Sequence, residues 1–195
     1  MTDTLSDWTT LRYIVVDVEG NGHQPPELVE LAVVPIVGGV IGEPTSWLVR
    51  PGHAIRYFAT SVHGLTTADV ADRPPITDIA AEVLKALDVP ALVAHTAHVD
   101  VDVLRRELPG WRPPEVFDTL KLARRLVPDL PNYKLGTLVE RFKLAGGLPH
   151  ELKPHRATYD ALVTARLFVR LATQAVSLEG LRGQSPERPD DDALF

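Results

Sequence analysis

Asp17 and Glu19 are the first residues in this chain whose type and spacing point to chemistry. They end the stretch Tyr13-Ile14-Val15-Val16-Asp17-Val18-Glu19, whose earlier residues are almost all apolar or β-branched. Such a run reads as a strand buried on both faces. Side chains alternate along a strand, so the two carboxylates point the same way, with Cβ atoms on the order of 7 Å apart. Two like charges at the mouth of a buried strand repel and resist desolvation, and a hard divalent cation between them relieves both costs. Taken alone, the pair also fits a strand that ends in solvated acids before the turn Gly20-Asn21-Gly22. The metal reading requires later segments to bring matching groups to the same place.

Three later residues do so. Asp100 stands at the start of a helix read over residues 99–108, in phase with the inward-facing Val103 and Leu104. Asp102 points the other way, beside Arg105 and Arg106, and reads as an exposed acid. Asp160 lies in an early turn of the last helix, read over residues 156–175, among the apolar Ala157, Ala161 and Val163. An ionised carboxylate there needs a metal or an arginine partner, and both remain open. His155 precedes that helix at the end of the loop 144–154, which holds two glycines and two prolines. Histidine is the side-chain type suited to exchanging a proton near neutral pH.

The elements that must position these groups follow from periodicity. After a lead-in over residues 1–10 and the first strand come a strand over 27–37 and a third over 40–49, an antiparallel meander. Residues 52–75 read as irregular up to a short helix start at Thr67. A helix over 76–87, a short strand at 91–94, the helix carrying Asp100, a brief strand at Val116-Phe117 and helices over 120–127 and 135–143 follow. This order predicts an α/β domain with a mixed five-stranded sheet flanked by helices and the first strand at its centre. Residues 11–175 form that domain, and 176–195, with Asp190-Asp191-Asp192, read as a disordered acidic tail.

Bulk properties set limits. A length of 195 residues suits one domain. With no cysteine, thiolate metal sites and disulfides are excluded, leaving His, Asp and Glu as ligands. That composition is compatible with a reducing compartment, and a cytoplasmic location is expected. The polar, acidic residues 1–7 show no signal peptide, and no apolar run is long enough to span a membrane. Net charge is −6, yet residues 105–156 hold eleven Lys and Arg against six acids. A short single strand of nucleic acid needs few phosphate contacts, so global acidity does not exclude it.

Five segments in order carry a resemblance. Asp17-x-Glu19, His95-x-Ala97-x-x-Asp100-x-x-x-Leu104 and His155-Arg156-Ala157-x-x-Asp160-Ala161 resemble the three motifs of the DEDDh 3′–5′ exonucleases. Those are relatives of the proofreading subunit of the bacterial replicative polymerase. Val62-His63-Gly64-Leu65-Thr66 and Asp118-Thr119-Leu120 are similar to two further segments of that family, and the likeness covers residues 11–174. It implies a ribonuclease-H-like fold and two Mg²⁺ or Mn²⁺ ions held by Asp17, Glu19, Asp100 and Asp160. It further implies His155 as general base and release of 5′-mononucleotides from a free 3′ end. Gly20, Val62, His63, Thr96 and Val99 fall where that family binds the terminal nucleotide. Gly20 stands in place of the family's usual Thr, Thr96 in place of Asn, and Val99 in place of an aromatic ring that would stack. The shared motifs leave open an RNA-trimming, oligoribonuclease-like enzyme or a binding module without turnover. The ending Asp192-Ala193-Leu194-Phe195, acidic then apolar, resembles the short peptides that dock sliding clamps, so a clamp or polymerase partner also stays open.

Overall fold

A computed structural model describes residues 7–183. At its centre is β1 (Tyr13–Gly20), flanked on one side by antiparallel β2 (Leu28–Val37) and on the other by parallel β5 (Ala91–Ala94). Parallel β6 (Glu115–Asp118) pairs with β5. On the far edge of β2 lie β3 (Val40–Ile41) and β4 (Thr45–Leu48), giving the order β3-β2-β1-β5-β6 with β4 also on β2. The sheet therefore has six strands, against the five expected. The third expected strand is broken at Gly42-Glu43-Pro44, where Gly42 N–H turns back to donate to the Pro35 carbonyl at 2.8 Å and proline has no N–H to offer a ladder.

Alternation along β1 divides the core. Tyr13 and Val15, with Ala32, Val34 and Ile36 of β2, face α7 (Ala157–Ala175), where Ala161, Ala165 and Phe168 are buried. Ile14 and Val16 face the opposite layer, made by α3 (Ile76–Ala86) and α4 (His98–Glu107) through Val83, Val101 and Leu104. By the same alternation Asp17 and Glu19 belong to the α7 face. So does Glu30, which sits directly opposite Glu19 in the ladder. The strand pair thus delivers three carboxylates to one end of one layer.

The structure corrects three boundaries. Residues 52–75 contain α1 (Tyr57–His63), closed by Gly64 at φ +79°, before α2 (Thr67–Val70). Its apolar Tyr57, Phe58 and Val62 face outward, so no helical stripe marked it in the sequence. The lead-in is ordered from Asp7, whose carboxylate caps a 3₁₀ turn at Trp8–Thr10. Burying the Trp8 indole explains this: it packs edge-on to Phe168 at 6.2 Å, and its carbonyl accepts from the Tyr13 hydroxyl at 2.7 Å. The tail begins later than expected, because Ser177 caps α8 (Leu178–Arg182) and Leu178 and Leu181 are buried. The triple aspartate and the clamp-like ending lie outside the described residues.

Two helices complete the α7 layer: α5 (Thr119–Leu126), capped by the Asp118 carboxylate, and α6 (Leu135–Phe142). No described helix is long and apolar enough to cross a membrane. Phe168 joins Trp8, Tyr13 and Phe117 in one aromatic cluster, with the Tyr13 ring at 4.8 Å. Phe168→Ala is expected to destabilise the fold by about 3–5 kcal/mol, read as a lower urea midpoint with an unchanged slope.

Candidate active site

The end of β1 carries the site because β1 outruns its parallel neighbour. Pairing with β5 stops at Val15 opposite Val93, so the later β1 edge has no strand beside it. The start of α4 fills the gap, and Asp100 Oδ1 accepts the free Val18 N–H at 3.1 Å. From the opposite layer, the first turn of α7 brings in Asp160. Ligand atoms of Asp17, Glu19 and Asp160 come within 4.8 Å of one another, a group able to hold a metal ion. The structure thus brings together three of the four expected acids. The fourth, Asp100, is buried at their side and bound to backbone.

Electrostatics make this a costly arrangement without a cation. Burial pushes Asp17 well above the usual carboxylate range, and Asp100, Asp160, Glu19 and Glu30 add to the effect. Asp17 is hemmed in by protein atoms although part of its surface still meets solvent. Glu19 is pushed up to about 8, by burial first and then by Asp160, Glu30 and Asp100. Asp100 also rises to about 8 through burial, against the pull of its own and the Val18 N–H groups. Burial raises Asp160 to about 6, against the pull of His155. All-oxygen donors crowded in this way suit a hard divalent cation. Thiols and clustered histidines do not contribute.

His155 sits at the exposed lip of this cleft. Its backbone is left-handed (φ +62°), and its N–H donates to Asp160 Oδ2 at 2.9 Å. One hydrogen bond therefore couples the histidine to the acid five residues on. The preceding loop is partly tied down, since Arg166 donates to the carbonyls of Leu144 and Gly146 at 2.7 Å each.

Sequence reasoning missed the pair that fixes α7. Glu30 is 3% exposed and accepts from Arg156 through Nε at 2.9 Å and a terminal nitrogen at 2.8 Å. Glu30 Oε2 also accepts from Ala157 N–H at 3.1 Å. The forked contact anchors the helix start to β2, between His155 and Asp160 on the helix side and opposite Glu19 on the sheet side. Its sequence signal was a lone charge inside the apolar run Leu28-Val29-Glu30-Leu31-Ala32.

The remaining candidates surround the acids unevenly. A Cβ on Gly20 would meet the Pro26 Cβ at 3.0 Å, so close packing accounts for glycine there. His63 is buried and accepts Leu65 N–H at Nδ1, which leaves Nε2–H to donate to the Gly20 carbonyl at 3.2 Å. Both nitrogens are spent on backbone, and burial lowers its pKa, so the ring is neutral and shapes the turn after Glu19. Val62 and Val99 are about half exposed, on α1 and α4. Thr96 adopts φ +67°, and its N–H donates to Asp118.

A ribonuclease-H-like α/β fold with an acidic cluster fit for a divalent cation defines the class. The model of the Exonuclease family RNase_T matches residues 14–168. Among curated proteins the chain is 31% identical over 178 residues to DNA polymerase III subunit epsilon of Aquifex aeolicus, covering 88% of this chain and 84% of that one. It is 34% identical over 167 residues to the 3′-5′ exonuclease DinG of Bacillus subtilis, covering 82% of this chain but 17% of DinG's length. The solved Exonuclease X in complex with 5′ overhanging duplex DNA superposes with a TM-score of 0.70 at 37% identity, over 83% of this chain and 91% of that one. Exonuclease I of E. coli, at 18% identity and a TM-score of 0.67, shares the fold over 85% of this chain and 43% of its own. The chain belongs to the RNase_T exonuclease family.

Two outcomes are expected. Without metal, the folded chain holds protons at Glu19 and Asp100 up to about pH 8, which the unfolded chain has released by about pH 5. Stability therefore falls as pH rises through that window. Between pH 7 and 8.5 melting temperature in EDTA should drop, and excess Mn²⁺ should cancel the drop. Separately, Arg156→Ala leaves Glu30 buried and unpaired and should cost about 3–5 kcal/mol in urea unfolding, with Glu30→Gln recovering part of the loss.

Proposed function

We propose that this chain is a 3′–5′ exonuclease that releases 5′-mononucleotides from single-stranded DNA. The observation that carries the reading is the convergence of Asp17, Glu19 and Asp160 at the end of β1, with Asp100 and His155 beside them. The named relatives support the direction of cleavage, and the Exonuclease X complex supports DNA as the polymer.

Asp17, Glu19 and Asp160, with Asp100 beside them, would hold two divalent cations, Mg²⁺ or Mn²⁺. Bound there, such ions would lower the pKa of an attacking water and stabilise the charge that develops in an in-line displacement. His155 takes the proton from that water as general base. Its exposed position lets it face substrate, and its N–H bond to Asp160 ties its approach to the metal cluster. The water oxygen bonds to phosphorus, the bond from phosphorus to the 3′ oxygen breaks, and that oxygen takes a proton from solvent, so the shortened chain leaves with a 3′ hydroxyl.

Gly20, Val62, His63, Thr96 and Val99 receive the terminal nucleotide. Val62 and Val99 offer apolar contact without hydrogen-bonding capacity, consistent with acceptance of any base. The epsilon-subunit relative supports work beside a DNA polymerase, and the cysteine-free composition supports a cytoplasmic setting.

End-labelled single-stranded DNA and RNA of matched sequence, incubated with protein and Mg²⁺ or Mn²⁺, test the reading. A 3′-to-5′ ladder on DNA is expected, abolished by EDTA and by Asp17→Ala, and slowed about 10²–10⁴-fold by His155→Ala. A ladder on RNA alone would move the function to RNA trimming. Absence of a ladder on both polymers, with binding retained, would leave a binding module.

A further inference from the structure

Beyond the terminal nucleotide, an exonuclease must hold the chain that follows, and an acid cluster repels a polyanion. The active-site cleft, about 560 Å³, is lined by Asp17, Asp160 and His155 and also by His95, Lys134 and Leu135. Those last three residues equally line a neighbouring cleft of about 680 Å³. The two clefts therefore adjoin along His95, Lys134 and Leu135, and together they are called the furrow. Its second half runs past Thr96, Asn132 and Tyr133 to Arg124 and contains no carboxylate. In a chain of net charge −6, this stretch beside the acids carries two cations and no anion. Neither Arg124 nor Lys134 forms an ion pair among the described residues.

The walls of this stretch are held in place. His95 uses both ring nitrogens, Nδ1 with the Thr119 hydroxyl at 2.9 Å and Nε2 with the Tyr133 carbonyl at 3.0 Å, and so ties the loop before α6 to the end of β5. The Tyr133 hydroxyl donates to the Val127 carbonyl at 2.9 Å. Asn132 Oδ1 accepts from Lys134 N–H at 3.1 Å and from the Thr137 hydroxyl at 2.8 Å, which leaves its amide group able to donate outward. A surface with two unpaired cations, a spare amide donor and a pinned backbone suits a row of phosphates.

We propose that this furrow is the track for the sugar–phosphate backbone of the nucleotides preceding the cleaved one, with Lys134 on the phosphate nearer the acids and Arg124 on one farther away. The track gives the polymer an attraction that the acid cluster denies it, and it sets the side from which the strand arrives. This inference rests on the exonuclease reading for its substrate, while its first test, of binding, does not depend on turnover.

Binding of a labelled oligothymidylate is measured by fluorescence anisotropy in Ca²⁺ across a series of salt concentrations. For a single strand each neutralised phosphate contributes about 0.7 to the slope of log affinity against log salt. Arg124→Gln and Lys134→Gln should each reduce the slope by about that amount, and the double variant by about twice as much, with melting temperatures kept. A double variant that folds, binds and keeps the wild-type slope overturns the track, as does a wild type that fails to bind the strand. A second readout compares polymer with the nitrophenyl ester of thymidine 5′-phosphate, which has no preceding nucleotide. Arg124→Gln should lower kcat/KM on polymer about tenfold more than on the ester, and an equal loss on both overturns the assignment. A wild type that binds with the expected slope, loses it in the variants and yields no ladder overturns the enzyme reading and leaves the track standing.

Discussion

Mutual repulsion among carboxylates at the end of β1 is the constraint on which the rest of this structure depends. Asp100, Asp160, Glu19 and Glu30 all act on Asp17 there, and one guanidinium, Arg156, lies within the group. A polypeptide free to relax would separate these charges. They stay together because each is carried by an element whose position is set elsewhere: a central strand, its antiparallel partner and two helices on opposite faces of the sheet. The apolar packing of Tyr13, Val15, Ile36 and Phe168 on one face and Ile14, Val16 and Leu104 on the other supplies the opposing stabilisation. Strain of this kind at one end of a well-packed sheet marks a site kept for chemistry.

The Glu30–Arg156 pair shows how the repulsion is managed without being removed. Neutralising one of five acids anchors α7, and the others remain available to a cation. The fork also spaces the helix start, so that His155 lies outside and Asp160 inside the same turn. A buried ion pair is weak as a source of stability, and here it joins the start of α7 to the β2 residue that lies opposite Glu19. The cationic furrow answers the same repulsion for the substrate, by placing the attraction for phosphates beside the acids and outside them.

Much of this was legible from residue order. Strand alternation placed Asp17 and Glu19 on one side, helical phase turned Asp100 inward and Asp102 out, and five motifs with family-like spacing indicated the family whose model matches residues 14–168. The central position of β1 and the mixed sheet also followed from the strand–helix order. Less visible was α1, whose outward Tyr57, Phe58 and Val62 break the rule that helices show an apolar inward stripe. The break in the third strand was written in Gly42-Glu43-Pro44 but outweighed by the apolar residues around it. Trp8 and Leu181 were placed in flexible ends because local polarity hid the core contacts that order them.

By itself the sequence determined which side chains can bind a hard cation or move a proton, because residue type and periodicity are local properties. It also determined that thiolate chemistry is absent. Tertiary structure alone decided that Asp100 binds Val18 N–H at the side of the cluster, that His63 is spent on the backbone around Glu19, and that Glu30 meets Arg156 across 126 residues of chain. It also decided that Lys134 lines two adjoining clefts, one with the acids and one without. Each of these is a meeting of groups distant in sequence, fixed by where strands stop and helices begin. Periodicity reports which way a side chain points, and the packed fold decides what it meets.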